Sequence, residues 1–170
     1  MKYEDIRPTL KSGDLISSSF LQPAFSSWYA FKVAVVQAWT RSDISHVALV
    51  WVPPTTKRVW IIEAVVPCVR VRPLSQALDE GEDVYHTPMN CDWSKVEDFA
   101  FEHIGTPYSQ LLAMVSSIEP WKHGKYTECA GLTIDIMNAA GIDLGNIATP
   151  QDILRHAMLR PGATQTLITK

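Results

Sequence analysis

The chain has 170 residues, of which 46% are hydrophobic and 19% charged. A chain of that length buries about 70% of its unfolded surface around one core, and the composition excludes disordered, collagen-like and coiled-coil classes. Lys and Arg number 15 against 18 for Asp and Glu, a net charge of −3, so a nucleic-acid partner is not expected. Six Trp are more than a small core needs and point to an aromatic surface or cleft as well.

The segment Met1 to Lys11 lacks the apolar run of a secretory signal. The most apolar stretch, Trp28 to Trp39, is interrupted by Lys32 and Gln37 and falls short of the roughly 20 apolar residues that span a bilayer. No transmembrane segment is expected. No repeat, charge run or low-complexity tract divides the sequence, so a single domain over residues 1–170 is expected.

In chain order, Leu10 to Ile16 reads as a turn leading into a strand, and Ser26 to Thr40 as a helix with Trp28, Phe31, Val35 and Trp39 on one face. Val47 to Val52 and Val59 to Val65 are apolar strands that form a hairpin across the loop from Pro53 to Arg58. Val69 to Arg72 alternates at period two, which predicts a half-exposed strand, and Asp83 to Thr87 is a further strand. Ser94 and Glu97 have capping-box spacing before Val96, Phe99, Ala100 and His103, a helical pattern that Gly105 ends. A second helix is expected from about Glu128 to Ala140, and a third from Thr149-Pro150-Gln151-Asp152. Strands first and helices later predict an α+β fold.

Cys68, Cys91 and Cys129 are odd in number and well separated, with no C-x-x-C pair, so free thiols are expected rather than a disulfide framework or zinc knuckle. Cys68 lies in the apolar Val65-Val66-Pro67-Cys68-Val69 and reads as a small hydrophobe, while Cys91 has the carboxylate of Asp92 beside it, which disfavours a thiolate. Cys129 sits where a loop enters a helix, a place where free N–H groups and the positive dipole end favour a thiolate. Small Ala130 and Gly131 beside it leave room for an approaching chain, and the Cys129 N–H is placed to face an oxyanion. The plain alternative is a buried helix cysteine.

A catalytic thiol needs a base. Among five histidines, His103 is explained by packing or by the C-terminal dipole of its helix, and His86, His123 and His156 read as surface residues. His46 opens Ser45-His46-Val47-Ala48-Leu49-Val50, a polar ring at the mouth of a buried strand. The hairpin pairs Val52 with Val59 and therefore Ala48 with Glu63, so His46 and Glu63 share a face and lie diagonal to each other. Glu63 is the only charge in its apolar strand and needs a partner. An imidazole oriented by a carboxylate, with its other nitrogen toward a thiol, is the logic of the Cys and Ser hydrolases. Glu63 turned to solvent, or paired with Arg70 or Arg72, is the alternative.

These stretches in their order resemble the NlpC-type papain-like cysteine peptidases, in the circularly permuted branch that includes the YiiX/YebB-like proteins and, more distantly, lecithin retinol acyltransferase. Leu10 to Ile16 is similar to the opening G-D strand, Ser45 to Val50 to the histidine strand, and Ile62-Glu63-Ala64 to the strand that supplies the third polar residue. Gly105-Thr106-Pro107-Tyr108 resembles the G-x-P-Y entry to the nucleophile, Glu128 to Leu132 with Ala140-Gly141-Ile142 the nucleophile helix and its end, and Thr149 to Asp152 a late helix start. The resemblance spans nearly the whole chain and implies a permuted papain-like fold: a small antiparallel sheet or open barrel packed against helices. It implies Cys129, His46 and Glu63 as catalytic residues, Tyr108 as a lining residue for the substrate, and no cofactor or metal. Ala130 stands where a Ser commonly follows the nucleophile, which bears on substrate preference. Tyr108 reads otherwise as a core aromatic after a turn.

The function expected is thus a peptidase or amidase acting through a thioester on a peptide or acyl amide, with cell-wall peptides the family's usual targets. Without an export signal in the sequence, either a cytoplasmic substrate or delivery in a phage particle is implied. Two other classes compete: a non-catalytic binding or structural module that keeps the fold, and a metalloenzyme using Cys91 with His86 or His103, for which no recognised ligand spacing exists. The sequence leaves the oligomeric state open.

Overall fold

The computed structural model describes residues 1–19, 44–56, 58–80, 83–109, 127–144 and 149–170. The segment expected to form the Ser26–Thr40 helix lies outside them, as does His123. The described residues form an α+β structure around a six-stranded, wholly antiparallel open sheet. The strands are β1 (Leu15–Ser19), β2 (His46–Trp51), β3 (Trp60–Ala64), β4 (Val69–Pro73), β5 (Asp83–Thr87) and β6 (Thr166–Ile168), in the spatial order β4-β3-β2-β1-β5-β6. The helices are α1 (Tyr3–Ile6), α2 (Leu74–Asp79), α3 (Glu97–Glu102), α4 (Cys129–Ala139) and α5 (Pro150–Met158).

Both faces of the sheet are covered, which is why β2 and β3 read as nearly continuous apolar runs rather than as an alternation. One core cluster joins Ile16, Ala48, Val50, Ile61 and Val84 of the sheet to Ile6 and Leu10 near α1 and to Leu74, Ala77 and Leu78 of α2. The other joins Leu15, Val47, Leu49, Ile62 and Val69 to Val96 and Ala100 around α3, Leu132 and Ile136 of α4, and Ile153 and Ala157 of α5. The expected β2–β3 hairpin forms in the expected register, with Leu49 opposite Ile62 and Trp51 opposite Trp60.

The turn before β1 is set by Gly13, whose φ of +86° suits glycine, and where a Cβ would stand 2.5 Å from the Cβ of Cys91. That crowding brings the 89–93 loop against the start of β1. Asp14 locks the junction: its carboxylate accepts from the N–H of Lys11 and of Met89 and stands 2.9 Å from His86 Nε2. His86 is therefore buried rather than at the surface, since Asp14 satisfies it inside; His156 is exposed, as expected.

The Ser94–Glu97 capping box does not form. Ser94 Oγ donates to Asp92, Glu97 Oε1 accepts a 2.7 Å bond from Trp51 Nε1, and residues 93–95 make a 3₁₀ turn before the shorter α3. Phe99 and His103 of that pattern face outward, with His103 Nδ1 bonded to the Phe99 carbonyl at 2.8 Å and the two rings 4.7 Å apart. The third helix starts as its sequence implies, with Pro150 at the first position and the Thr149 hydroxyl accepting from the N–H of Asp152 at 3.2 Å.

Candidate active site

Helix α4 begins at Cys129, and the chain before it is tied down on both sides. Gly105 turns with φ +87° and donates its N–H to Val69 of the edge strand β4, and Tyr108 donates to Pro67. Tyr108 bridges Thr127, the Ser109 N–H donates to Thr127, and the Thr127 N–H donates to Pro107. The Gly105–Tyr108 stretch thus extends the sheet edge and pairs with Thr127, two residues before Cys129. Tyr108 lies two residues from Cys129 along this bridge and packs against the core beside α4.

Glu128 adopts an extended conformation as the N-cap of α4, and its carboxylate accepts the N–H groups of Ala130 and Gly131 at 2.8 and 2.6 Å. Two free donors of the helix terminus are therefore spent on a carboxylate, and the dipole end that was expected to favour a thiolate is partly neutralised. The N–H of Cys129 itself is not among those Glu128 takes. Cys129 is buried in the cluster that α4 forms with β2 and β3, so its sulfur lies at the junction of helix and sheet.

His46 is the first residue of β2 and stands where the sheet ends. Its Nε2 lies 2.9 Å from Glu63 Oε2, and its ring also hydrogen-bonds the Cys129 side chain. An ionised carboxylate only accepts, so Nε2 carries the donated proton and Nδ1 is the nitrogen left for the thiol. Ala48 shares the face of His46, and the register sets Glu63 on that face as well. The imidazole reaches Glu63 on one face and, over the end of the sheet, the thiol that belongs to the other.

Burial opposes a charge on His46, but the hydrogen bonds to Cys129 and Glu63 and the charges of both outweigh it, and its pKa is pushed up to about 10. Burial likewise opposes ionisation of Glu63, yet the His46 hydrogen bond and charge, the Arg72 charge and the Arg70 hydrogen bond hold the carboxyl down at about 2. The pair is therefore ionised across the neutral range.

Glu63 is fully buried and meets more than one partner. Arg70 Nε donates to Oε1 at 2.8 Å, Arg72 Nε stands 2.7 Å from Oε1, and Arg72 Nη2 donates to Oε2 at 3.3 Å. Of the alternatives weighed for Glu63, exposure to solvent is excluded by its burial, and the pairing with His46 and with both arginines is realised together. Arg72 departs from the half-exposed strand pattern and is buried between two carboxylates, donating through Nη1 to Glu80 and through Nη2 to Glu63.

The other thiols stand apart from this arrangement. Cys68 is half-buried and bridges Pro107, and Cys91 is half-buried against Gly13 with its thiol pushed up by burial and by Asp92 and Asp14. Among the described residues no group of three or more His, Cys, Asp or Glu is placed to hold a metal ion. His86 and His103, the partners considered for Cys91, are engaged by Asp14 and by the Phe99 carbonyl. Among the described residues no helix is long and apolar enough to cross a membrane.

Sequence reasoning named Arg72 only as an alternative partner of Glu63 and missed Glu80 and the capping role of Glu128. The alternation of β4 places Arg70 and Arg72 on the face that Glu63 occupies. Compared with known proteins, the chain matches no family model and no curated protein sequence.

Proposed function

We propose that the protein is a cysteine hydrolase of amide bonds in peptides or acyl amides, with a permuted papain-like arrangement in which Cys129 is the nucleophile, His46 the proton carrier and Glu63 the residue that orients it. The observation that carries this reading is one imidazole bonded to both a helix-terminal thiol and a buried carboxylate. The chain order His46, Glu63, Cys129, with the thiol at the start of a helix packed on an antiparallel sheet, supports the permuted fold.

With its pKa pushed up, His46 holds a proton at neutral pH, and in the proposed mechanism Cys129 reacts as a thiolate beside that imidazolium. The sulfur attacks the carbonyl carbon, and the Cys129 N–H accepts the role of oxyanion donor. His46 protonates the leaving amine as the C–N bond breaks, which leaves a thioester and a neutral imidazole. That imidazole takes a proton from water, the hydroxide attacks the thioester, and the acid departs as the thiolate–imidazolium pair is restored. Tyr108, through its bridge to Thr127, belongs to the wall beside the sulfur and is assigned to substrate binding.

Cell-wall peptides and simple acyl amides are the substrates to assay first. Cleavage with transient acylation of Cys129, seen as a mass increment that disappears with turnover, is expected of the wild-type chain. Cleavage that persists in Cys129→Ala overturns the mechanism, and absence of acylation on every peptide and amide offered favours the non-catalytic module.

A further inference from the structure

Glu63 is held by two arginines, but they hold it differently. Arg70 reaches only Oε1, through Nε and Nη2, and its side chain is 44% exposed. Arg72, whose side chain is 6% exposed, meets both oxygens: Nη2 donates at 3.3 Å to Oε2, the same oxygen that faces His46 Nε2, and Nε stands 2.7 Å from Oε1 as an ion-pair contact without a hydrogen bond. A planar guanidinium across both oxygens fixes the plane of a carboxylate, which a single contact does not.

The guanidinium is itself anchored from behind. Arg72 Nη1 donates to Glu80 Oε2 at 2.7 Å, and the other Glu80 oxygen accepts from Gln76 Nε2 at 3.0 Å. Glu80 is the C-cap of α2, with its N–H bonded to the Gln76 and Leu78 carbonyls. A short helix packed on the sheet thus sets Glu80, Glu80 sets Arg72, Arg72 sets Glu63, and Glu63 sets His46. The groups facing Glu63 are His46 from β2 and Arg70 and Arg72 from β4, and those facing His46 are the carboxylate of Glu63 and the side chain of Cys129.

We propose that Arg72 is a positioning residue for the Cys129–His46 pair: its guanidinium, which donates through Nη2 to Oε2, stands in charge contact with Oε1 and is backed by Glu80, keeps Oε2 aimed at His46 Nε2. This rests on the reading of Cys129 as a nucleophile activated by His46. A simple counter-charge on Glu63 would be replaceable by lysine; a flat guanidinium that meets Glu63 while bonded to Glu80 is not.

The test needs no natural substrate. The rate of Cys129 alkylation by iodoacetamide, resolved by peptide mass, is measured at neutral pH with the His46 Nε2–H proton resonance as a second readout. Arg72→Gln is expected to lower the rate about tenfold, as loss of an outer partner of a reactive group does, and to lose the slowly exchanging Nε2–H signal. Arg72→Lys keeps the charge and is expected to recover less than half of that loss. Arg70→Gln is expected to cost less than Arg72→Gln.

Wild-type rate and an unchanged proton signal in Arg72→Gln overturn the proposal, as does full recovery in Arg72→Lys, which would leave Arg72 as a counter-charge only. Should the Arg72 variants fail to fold, Glu80→Gln at a partly exposed position serves: a fall of about twofold or more supports the relay, and the wild-type rate overturns it. A wild-type Cys129 that labels no faster than in His46→Ala instead overturns the parent reading, a result separable from any Arg72 outcome.

Discussion

Glu63 and His46 meet at 2.9 Å because two antiparallel strands pair Leu49 with Ile62, which sets a buried carboxylate diagonal to the imidazole that begins the neighbouring strand. The same carboxylate neutralises Arg70 and Arg72. It is therefore a structural hub as well as the orienting group of the proposed triad.

Glu63→Gln removes the charge while keeping the shape, and leaves buried Arg72 with an amide in place of a carboxylate. A loss of about 3 kcal/mol of stability is expected, because an uncompensated buried charge costs more than the pair contributed. Urea unfolding at pH 7 measures it. In a folded sample of that variant, any hydrolysis should fall less than in His46→Ala, since the proton carrier remains.

The pH dependence of stability has a worked sign. Glu63 is lowered from 4.5 to about 2, so its contribution is complete above about 4.5 and is lost as pH falls towards 2. His46 is raised from 6.5 to about 10, so its contribution is complete below about 6.5 and is lost as pH rises through 10. Stability from this pair should peak between those limits. Denaturant midpoints at pH 5.5, 8 and 10 should fall steadily in wild type and more shallowly in His46→Ala; equal slopes would contradict the coupling.

Gly13→Ala places a methyl group 2.5 Å from the Cβ of Cys91 at a positive φ. Strain and overpacking together should cost about 2 kcal/mol or more. Pairing it with Cys91→Ala removes the sulfur yet leaves the Cβ contact, so thermal unfolding should show little recovery in the double variant.

The side-chain hydroxyl of Ser17 is fully buried in β1 and has no hydrogen-bond partner among the described residues. Ser17→Ala removes the unsatisfied group at nearly constant volume and should raise stability by about 1 kcal/mol. An unchanged or lower denaturant midpoint would show that the hydroxyl is satisfied in solution.

What the sequence revealed follows from what is local. The His46–Glu63 face was legible because a six-residue loop between apolar runs fixes a hairpin register and strand side chains alternate strictly. The start of α4 near Glu128 and of α5 just after Thr149 followed from residue types at the helix ends. Contacts decided by competition among distant partners were not legible. Glu97 has capping-box spacing from Ser94 but is taken by Trp51 from another strand. His86 lies in a polar stretch yet is buried, because Asp14, 72 residues away, accepts from it. Glu128 reads as the first residue of its helix and proves to be the N-cap. The short helices α1 and α2 carry too few residues to show a period.

The central claim is that His46 makes Cys129 unlike the other two thiols. Exposure alone ranks Cys129 last, since it is buried while Cys68 and Cys91 are half-buried. Competitive iodoacetamide labelling at pH 7, with each cysteine quantified by peptide mass, sets the two influences against each other. The account predicts Cys129 labelled first in wild type and slowed about tenfold or more in His46→Ala; labelling in the order of exposure, unchanged by His46→Ala, would contradict it.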